Sequence, residues 1–207
     1  MSPLRYTSQV KDEKKRHYNS QRTRRSLTTA AIELFSKIGY DAATTRGIAK
    51  KAGVNESLIQ RYFANKLGLF TCVVDECQKK FMGNLPYEPA ESLEEELSLF
   101  FNYRMELVRK EQKLYRVILC RALLDKQVVG QMQNISQNGI PSLVDRLAVL
   151  QRKGKIRKDL DLPTASILVM GVSFSLAVWT HIFKKIEEEK SREVAKLASS
   201  VLAKGMA

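Results

Sequence analysis

Between Ile48 and Lys66 the chain reads IAKKAGVNESLIQRYFANK, its densest set of side chains able to bond a patterned partner. Asn55, Glu56, Ser57, Gln60 and Arg61 fall within seven positions. On one short helix they form an outward face of donors and acceptors, while Leu58 or Ile59, Tyr62 and Phe63 form its apolar side. Such a face suits base-pair edges: Gln reaches adenine, Arg reaches guanine, and Leu58 can touch a thymine methyl. An ordinary surface hairpin of helices has the same spacing, so the stretch has to be weighed with the rest of the chain.

Catalytic chemistry has little to work with. The 207 residues include two histidines, His17 and His181. There is no Gly-rich phosphate loop, no nucleophile elbow and no metal-ligand cluster in the sequence. Glu94-Glu95-Glu96 and Glu187-Glu188-Glu189 are carboxylate runs, but successive residues fan around a helix and cannot converge. Cys72, Cys77 and Cys120 lack zinc-ligand spacing and read as buried or incidental thiols of a reducing cytosol. We therefore expect no enzyme: no catalytic residues, no metal and no cofactor.

The elements that position the 48–66 stretch are helices. Leu27, Ala30, Ala31, Leu34, Phe35 and Ile38 recur at steps of three and four, and Gly39 can cap the helix they form. Thr44 and Thr45 are good N-caps for a short helix over 45–52 that turns Ile48, Ala49 and Ala52 inward. Gly53 ends it. Asn55 can cap the next helix, 56–62, and Asn65 a fourth that runs from Lys66 to about Phe81. Two short helices about a tight Gly turn make a helix-turn-helix, in which the second helix can enter the major groove of DNA.

Charge agrees. The net charge is +13, with a pI near 9.7. Residues 1–85 carry +9 of it and residues 86–207 carry +4. A basic end of this kind suits a polyanion. Arg22, Arg24 and Arg25 stand at the expected start of the first helix, where its dipole disfavours cations and a phosphate would reverse the penalty. Residues 1–20 show no apolar period and read as a flexible basic tail, either solvated or an arm that touches DNA.

Beyond Gly83, Pro86 and Pro89 the pattern resumes. Helices are expected from Ser92 through Val108, around Leu114–Leu124, from Pro141 to about Leu150, from Pro163 to about 185, and over 187–204. Residues 127–137 are polar and weakly helical. Ala165–Phe183 holds no Asp, Glu, Lys or Arg and approaches the ~20 residues of a bilayer span. Its serines, Thr180 and His181 fit a helix buried between helices or subunits better, and no membrane is expected. The fold class is all-α. The expected domains are a tail over 1–20, a helix-turn-helix DNA-binding domain over 21–66, a linking helix over 67–85 and a helical regulatory and dimerisation domain over 86–207.

Residues 22–70 resemble the DNA-binding domain of the tetracycline-repressor (TetR) family of bacterial transcription regulators. The matching run is AAIELFSKIGYDAATTRGIAKKAGVNESLIQRYFANKLGLF. The resemblance implies an N-terminal three-helix DNA-binding domain and a helical C-terminal domain that dimerises through its last two helices and holds a small-molecule pocket. It implies a homodimeric repressor in the bacterial cytoplasm, associated with the nucleoid. Its partners would be a near-palindromic double-stranded operator and a small-molecule effector that releases it. By position, Thr45 and Arg46 would meet phosphate, Asn55, Glu56, Ser57, Leu58 and Arg61 would face the groove, Tyr62 would approach the backbone and Lys66 would bind phosphate. Arg22 and Arg24 join this DNA-binding set, as does Gln60. Ser57, Leu58, Gln60 and Tyr62 depart from the family's commonest residues, which leaves base preference open. For the pocket, Phe100, Phe101, Tyr103, Met105, Tyr115, Met132, Phe174, Trp179 and His181 are candidates, each of which also suits a plain core position.

Overall fold

The computed structural model describes residues 3–130, 140–184 and 186–207, with side chains from Tyr18 onward. The described residues are mostly helical, with no strand among them. They fall into two compact units, Met1–Glu76 and Cys77–Ala207.

The first unit contains α1 (Pro3–Ile38), α2 (Thr45–Ala52), α3 (Ser57–Phe63) and the start of α4 (Lys66–Met82), within which the division falls. The long α1 corrects the expected tail: residues 3–20 are helical and continuous with the amphipathic segment. Local propensity accounts for this. After Pro3, a favourable first-turn residue, no Gly or Pro interrupts the chain before Gly39, and Lys, Arg, Gln and Glu are good helix formers. Arg22, Arg24 and Arg25 consequently lie about five turns inside the helix, so the dipole argument for an anion there does not apply.

The core of this unit is Leu27, Ala31, Phe35, Ala43, Ile48, Leu69, Phe70 and Val73, all fully buried. Phe35, Tyr40 and Phe70 form an aromatic triangle with centroids 5.5, 5.3 and 4.9 Å apart. Two of its contacts are edge-to-face, the arrangement that ring quadrupoles favour.

The second unit contains the end of α4, then α5 (Leu93–Lys110), α6 (Gln112–Ala122), α7 (Pro141–Arg152), α8 (Leu162–Ala177), a π-helical turn (Val178–Ile182) and α9 (Glu188–Met206). The expectation for 127–137 falls partly on residues 131–137, outside the described residues; 126–130 are helical. The Ser92 hydroxyl accepts from the Glu95 N–H at 3.2 Å and opens α5, with three glutamates in its positive first turn. Asp161 caps α8 through the Thr164 N–H at 3.0 Å. Helix α5 is central, packed against α8 and α9, with Phe100, Phe101, Leu97, Leu143, Leu147 and Val169 in the core.

Several buried polar groups are paired across elements. Glu96, 1% exposed, meets Arg146 at 3.2 Å and accepts the Ala90 N–H at 3.0 Å. Arg146 also donates to the carbonyls of Leu85 and Tyr87, so one ion pair fastens the Pro-containing loop between α4 and α5. The segment Leu162–Ile182 is long and apolar enough to cross a membrane. Its Ser166 hydroxyl accepts the Ile140 N–H at 3.0 Å and its Thr180 lies 2.7 Å from Ser191, so one side of it is a protein core.

A backbone contact sets the geometry where α3 meets α4. A Cβ on Gly68 would lie 1.9 Å from the Phe63 carbonyl oxygen. Gly68→Ala must therefore displace backbone, and we expect a loss of about 2–4 kcal/mol in chemical denaturation. A variant as stable as the parent would show that this junction yields easily.

Candidate nucleic-acid interface

Helix α2 starts at the Thr44 cap, whose hydroxyl accepts the Gly47 N–H at 3.0 Å. It ends at Gly53 in the left-handed conformation, φ 69° and ψ 31°. The Gly53 N–H bonds the Lys50 carbonyl and the Val54 N–H bonds the Ala49 carbonyl, the paired C-terminal pattern that a left-handed glycine permits. The chain turns at once into α3. Asn55 Oδ1 accepts the Ser57 N–H at 2.8 Å, as its type and position suggest.

Helix α3 buries Ile59 and Phe63, which resolves the choice between Leu58 and Ile59 in favour of Ile59. Asn55, Glu56, Ser57, Gln60 and Arg61 are exposed, and Leu58 and Tyr62 are half-buried. On α2, Arg46 is exposed and Thr45 half-buried. Thr45 donates to Glu56 Oε1 at 2.6 Å, so these two candidates are bonded to each other and tie the helices together. The Arg61 guanidinium lies 5.8 Å from the Tyr62 ring centre.

Arg24 and Lys66 are engaged with protein groups. Arg24 donates to the Tyr62 carbonyl at 3.0 Å and lies over the Phe63 ring at 4.9 Å. It thus holds the C-terminal end of α3, where the helix dipole favours a cation. Lys66 donates to the Asp41 carbonyl at 3.2 Å and lies 4.4 Å from the Tyr40 ring centre. Arg22 and Arg25 are exposed on α1. At the α3–α4 junction the sequence announces the Asn65 cap but neither the backbone conformation of Ala64 nor the close approach at Gly68. Ala64 there has φ 66° and ψ −40°, a region L-residues rarely enter, and Asn65 caps α4 by accepting the Gly68 N–H at 2.8 Å. The readable signal was a glycine in the first turn of a helix, where stronger helix formers usually stand.

In the second unit a cleft of about 460 Å³ lies among Asn102, Met105, Glu106 and Arg109 of α5, Thr180 and His181 of the π-helical turn, and Glu188, Ser191 and Arg192 of α9. It is polar and its charges are largely satisfied within it. Arg109 grips Glu106 through two bonds of 2.6 and 2.8 Å, which holds the Glu106 carboxyl down to about 2. Burial pulls the His181 imidazole below its ordinary value. Of the expected pocket residues, Met105 and His181 border this cleft. Phe100 and Phe101 are fully buried core, and Tyr115 packs on Phe81 with centroids 4.7 Å apart. Tyr103 donates to the Lys80 carbonyl at 3.5 Å. Phe174 and Trp179 are 43% and 46% exposed and do not border this cleft. Met132 lies outside the described residues.

Residues 27–72 match the profile of bacterial regulatory proteins, tetR family. Over its length the chain is 23% identical to an uncharacterised helix-turn-helix regulator of Bacillus subtilis, YvkB, across 89% of this chain and 97% of that one. A Rhodococcus sp. chain assigned to the TetR family superposes with a TM-score of 0.73 at 16% identity, covering 88% of this chain and 99% of its own. The Bacillus subtilis regulator FadR in complex with stearoyl-CoA superposes at 0.66 and 20% identity, covering 88% and 98%. Residues 27–72 thus form a domain of the tetR-family type, and the relatives that match across most of the chain are helix-turn-helix transcriptional regulators.

Because Arg24 caps α3, Arg24→Met should lower stability by about 1 kcal/mol in denaturation. An unchanged midpoint would leave Arg24 as a solvent-facing cation.

Proposed function

We propose that the protein is a homodimeric repressor of the bacterial cytoplasm that a small molecule releases from a near-palindromic operator. The observation that carries the DNA-binding part is the outer face of α3. Its backbone is pinned at one end by Asn55 and Thr45–Glu56 and at the other by Arg24. Its outward residues, Ser57, Gln60 and Arg61, are of base-reading types. Arg61 and Gln60 read bases in this account, Asn55, Ser57 and Leu58 line the groove, and Arg46 and Arg22 meet phosphate. Thr45 and Glu56 brace the two helices and reach DNA only at their margins. Lys66 and Tyr62 approach the strand beside the start of α4, Lys66 exchanging the Asp41 carbonyl for a phosphate.

The dimer is supported by apolar residues left outward on the last two helices. Leu168, Phe174, Trp179 and Phe183 are exposed on α8 and just beyond it, and Leu197 and Val201 on α9. Trp179 and Phe183 pack on each other at 5.5 Å. Large side chains gathered in this way are uncommon on a monomer's surface. A second copy covering them would bury ~2,000 Å² or more in total. The same apolar face answers the length of Leu162–Ile182 without a bilayer. Effector response rests on the family and on the solved likeness to FadR, whose complex holds stearoyl-CoA.

Arg61→Ala should weaken binding to the DNA upstream of its own gene by about 1–3 kcal/mol, and random duplex by much less. Equal losses on both would assign Arg61 to phosphate instead of a base. Trp179→Asp should give monomers or unfolded chain on size-exclusion chromatography, since a charge would enter an apolar contact. A variant that stays dimeric would remove Trp179 from the interface.

A further inference from the structure

In the second unit Arg104 is buried and Arg146 partly so, and the two are not alike. Arg146 is paired with Glu96. Arg104, 4% exposed on α5, has no carboxylate within ion-pair distance among the described residues, and its Nε has no hydrogen-bond partner. It donates to the Phe81 carbonyl at 3.2 Å. Its guanidinium stacks 3.7 Å from the centre of the Phe81 ring and 5.8 Å from that of Phe100. Tyr115 meets Phe81 edge-on at 4.7 Å. The desolvation lowers the Arg104 pKa to about 10, so the group is still a cation at neutral pH.

A buried cation without an anion is costly, and an apolar residue of the same length would fill the space at less cost. The local compensation is partial: ring faces and the carbonyls at the negative end of α4. Phe81 itself is only half-buried, so the ring that roofs the guanidinium stands at the surface of the unit. Tyr103 and Tyr115, both candidates from the sequence, flank the same place. In contrast to the internally paired charges of the α5–α9 cleft, Arg104 has an unused donor and an unneutralised charge.

We infer that Arg104 anchors the effector, and that the effector is an anionic amphiphile. Its carboxylate or phosphate pairs with the guanidinium while its apolar body displaces Phe81 and lies against Phe100 and Tyr115. This rests on the reading of the protein as effector-responsive. Binding removes Arg104 from the Phe81 carbonyl, and so alters the last turn of α4. Planar bidentate pairing is what Arg offers a carboxylate or phosphate beyond Lys.

The test uses the full-length chain and three probes below their micellar concentrations: dodecanoate, dodecyl phosphate and dodecanol. Binding is measured by calorimetry and thermal unfolding, and release from upstream DNA by anisotropy. At least one anion should raise the melting temperature and release DNA, and dodecanol should do neither; which anion does so separates a carboxylate from a phosphate ligand. Arg104→Met should still bind DNA and should bind the anion roughly tenfold or more weakly, since a charge-assisted pair is lost. Arg104→Lys keeps the charge without the fork and should also bind more weakly than the parent; it carries the decision alone if the Met variant does not fold. Equal binding of dodecanol and the anions, unchanged anion affinity in these variants, or no response to any probe overturns the inference. If the unliganded parent fails to bind upstream DNA, the repressor reading fails separately.

Discussion

The position of α3 depends on its last carbonyls. Tyr62 gives its carbonyl to Arg24, and the Phe63 carbonyl is approached so closely by α4 that only glycine fits at position 68. Between them Ala64 accepts an unfavourable backbone conformation, which the neighbouring Phe63 and Asn65–Gly68 contacts impose. Strain of this kind persists only where the surroundings over-determine it. Here they do so at the end of a seven-residue helix, too short to be stable alone. The outward face of α3 is therefore defined by its neighbours, from α1 and α4, more than by its own hydrogen bonds.

The second unit solves a different problem. It places charged groups inside a helical core and treats them unequally: Glu96 is neutralised by Arg146, while Arg104 meets no carboxylate among the described residues. Its last helices expose apolar residues instead of burying them. Both departures from a closed monomer, an unmatched Arg104 and an uncovered Trp179–Phe183 pair, are the features on which the proposed effector site and dimer rest. A chain built only for its own stability would avoid both.

Much of the N-terminal unit was legible beforehand because its signals are local. Thr44, Gly53, Asn55 and Asn65 are capping residues whose effect spans three or four positions, and the helices start and stop beside them. The outward residues of α3 followed from period alone once Ile59 and Phe63 were buried. The early extent of α1 was missed because a polar helix has no apolar stripe to announce it. Arg24 shows the limit most clearly. Its type suited phosphate, yet its partners are Tyr62 and Phe63, 38 and 39 positions away.

By itself the sequence determined the all-helical class, the two short helices about Gly53, and which residue types face outward from α3, since period, caps and propensity act within a few residues. Tertiary structure decided which cations are spent on the protein's own carbonyls, which aromatic side chains are core and which are surface, and that Arg104 is buried without a counter-charge. Those outcomes depend on side chains brought together from distant positions, and no local spacing records whether a given group has found its partner.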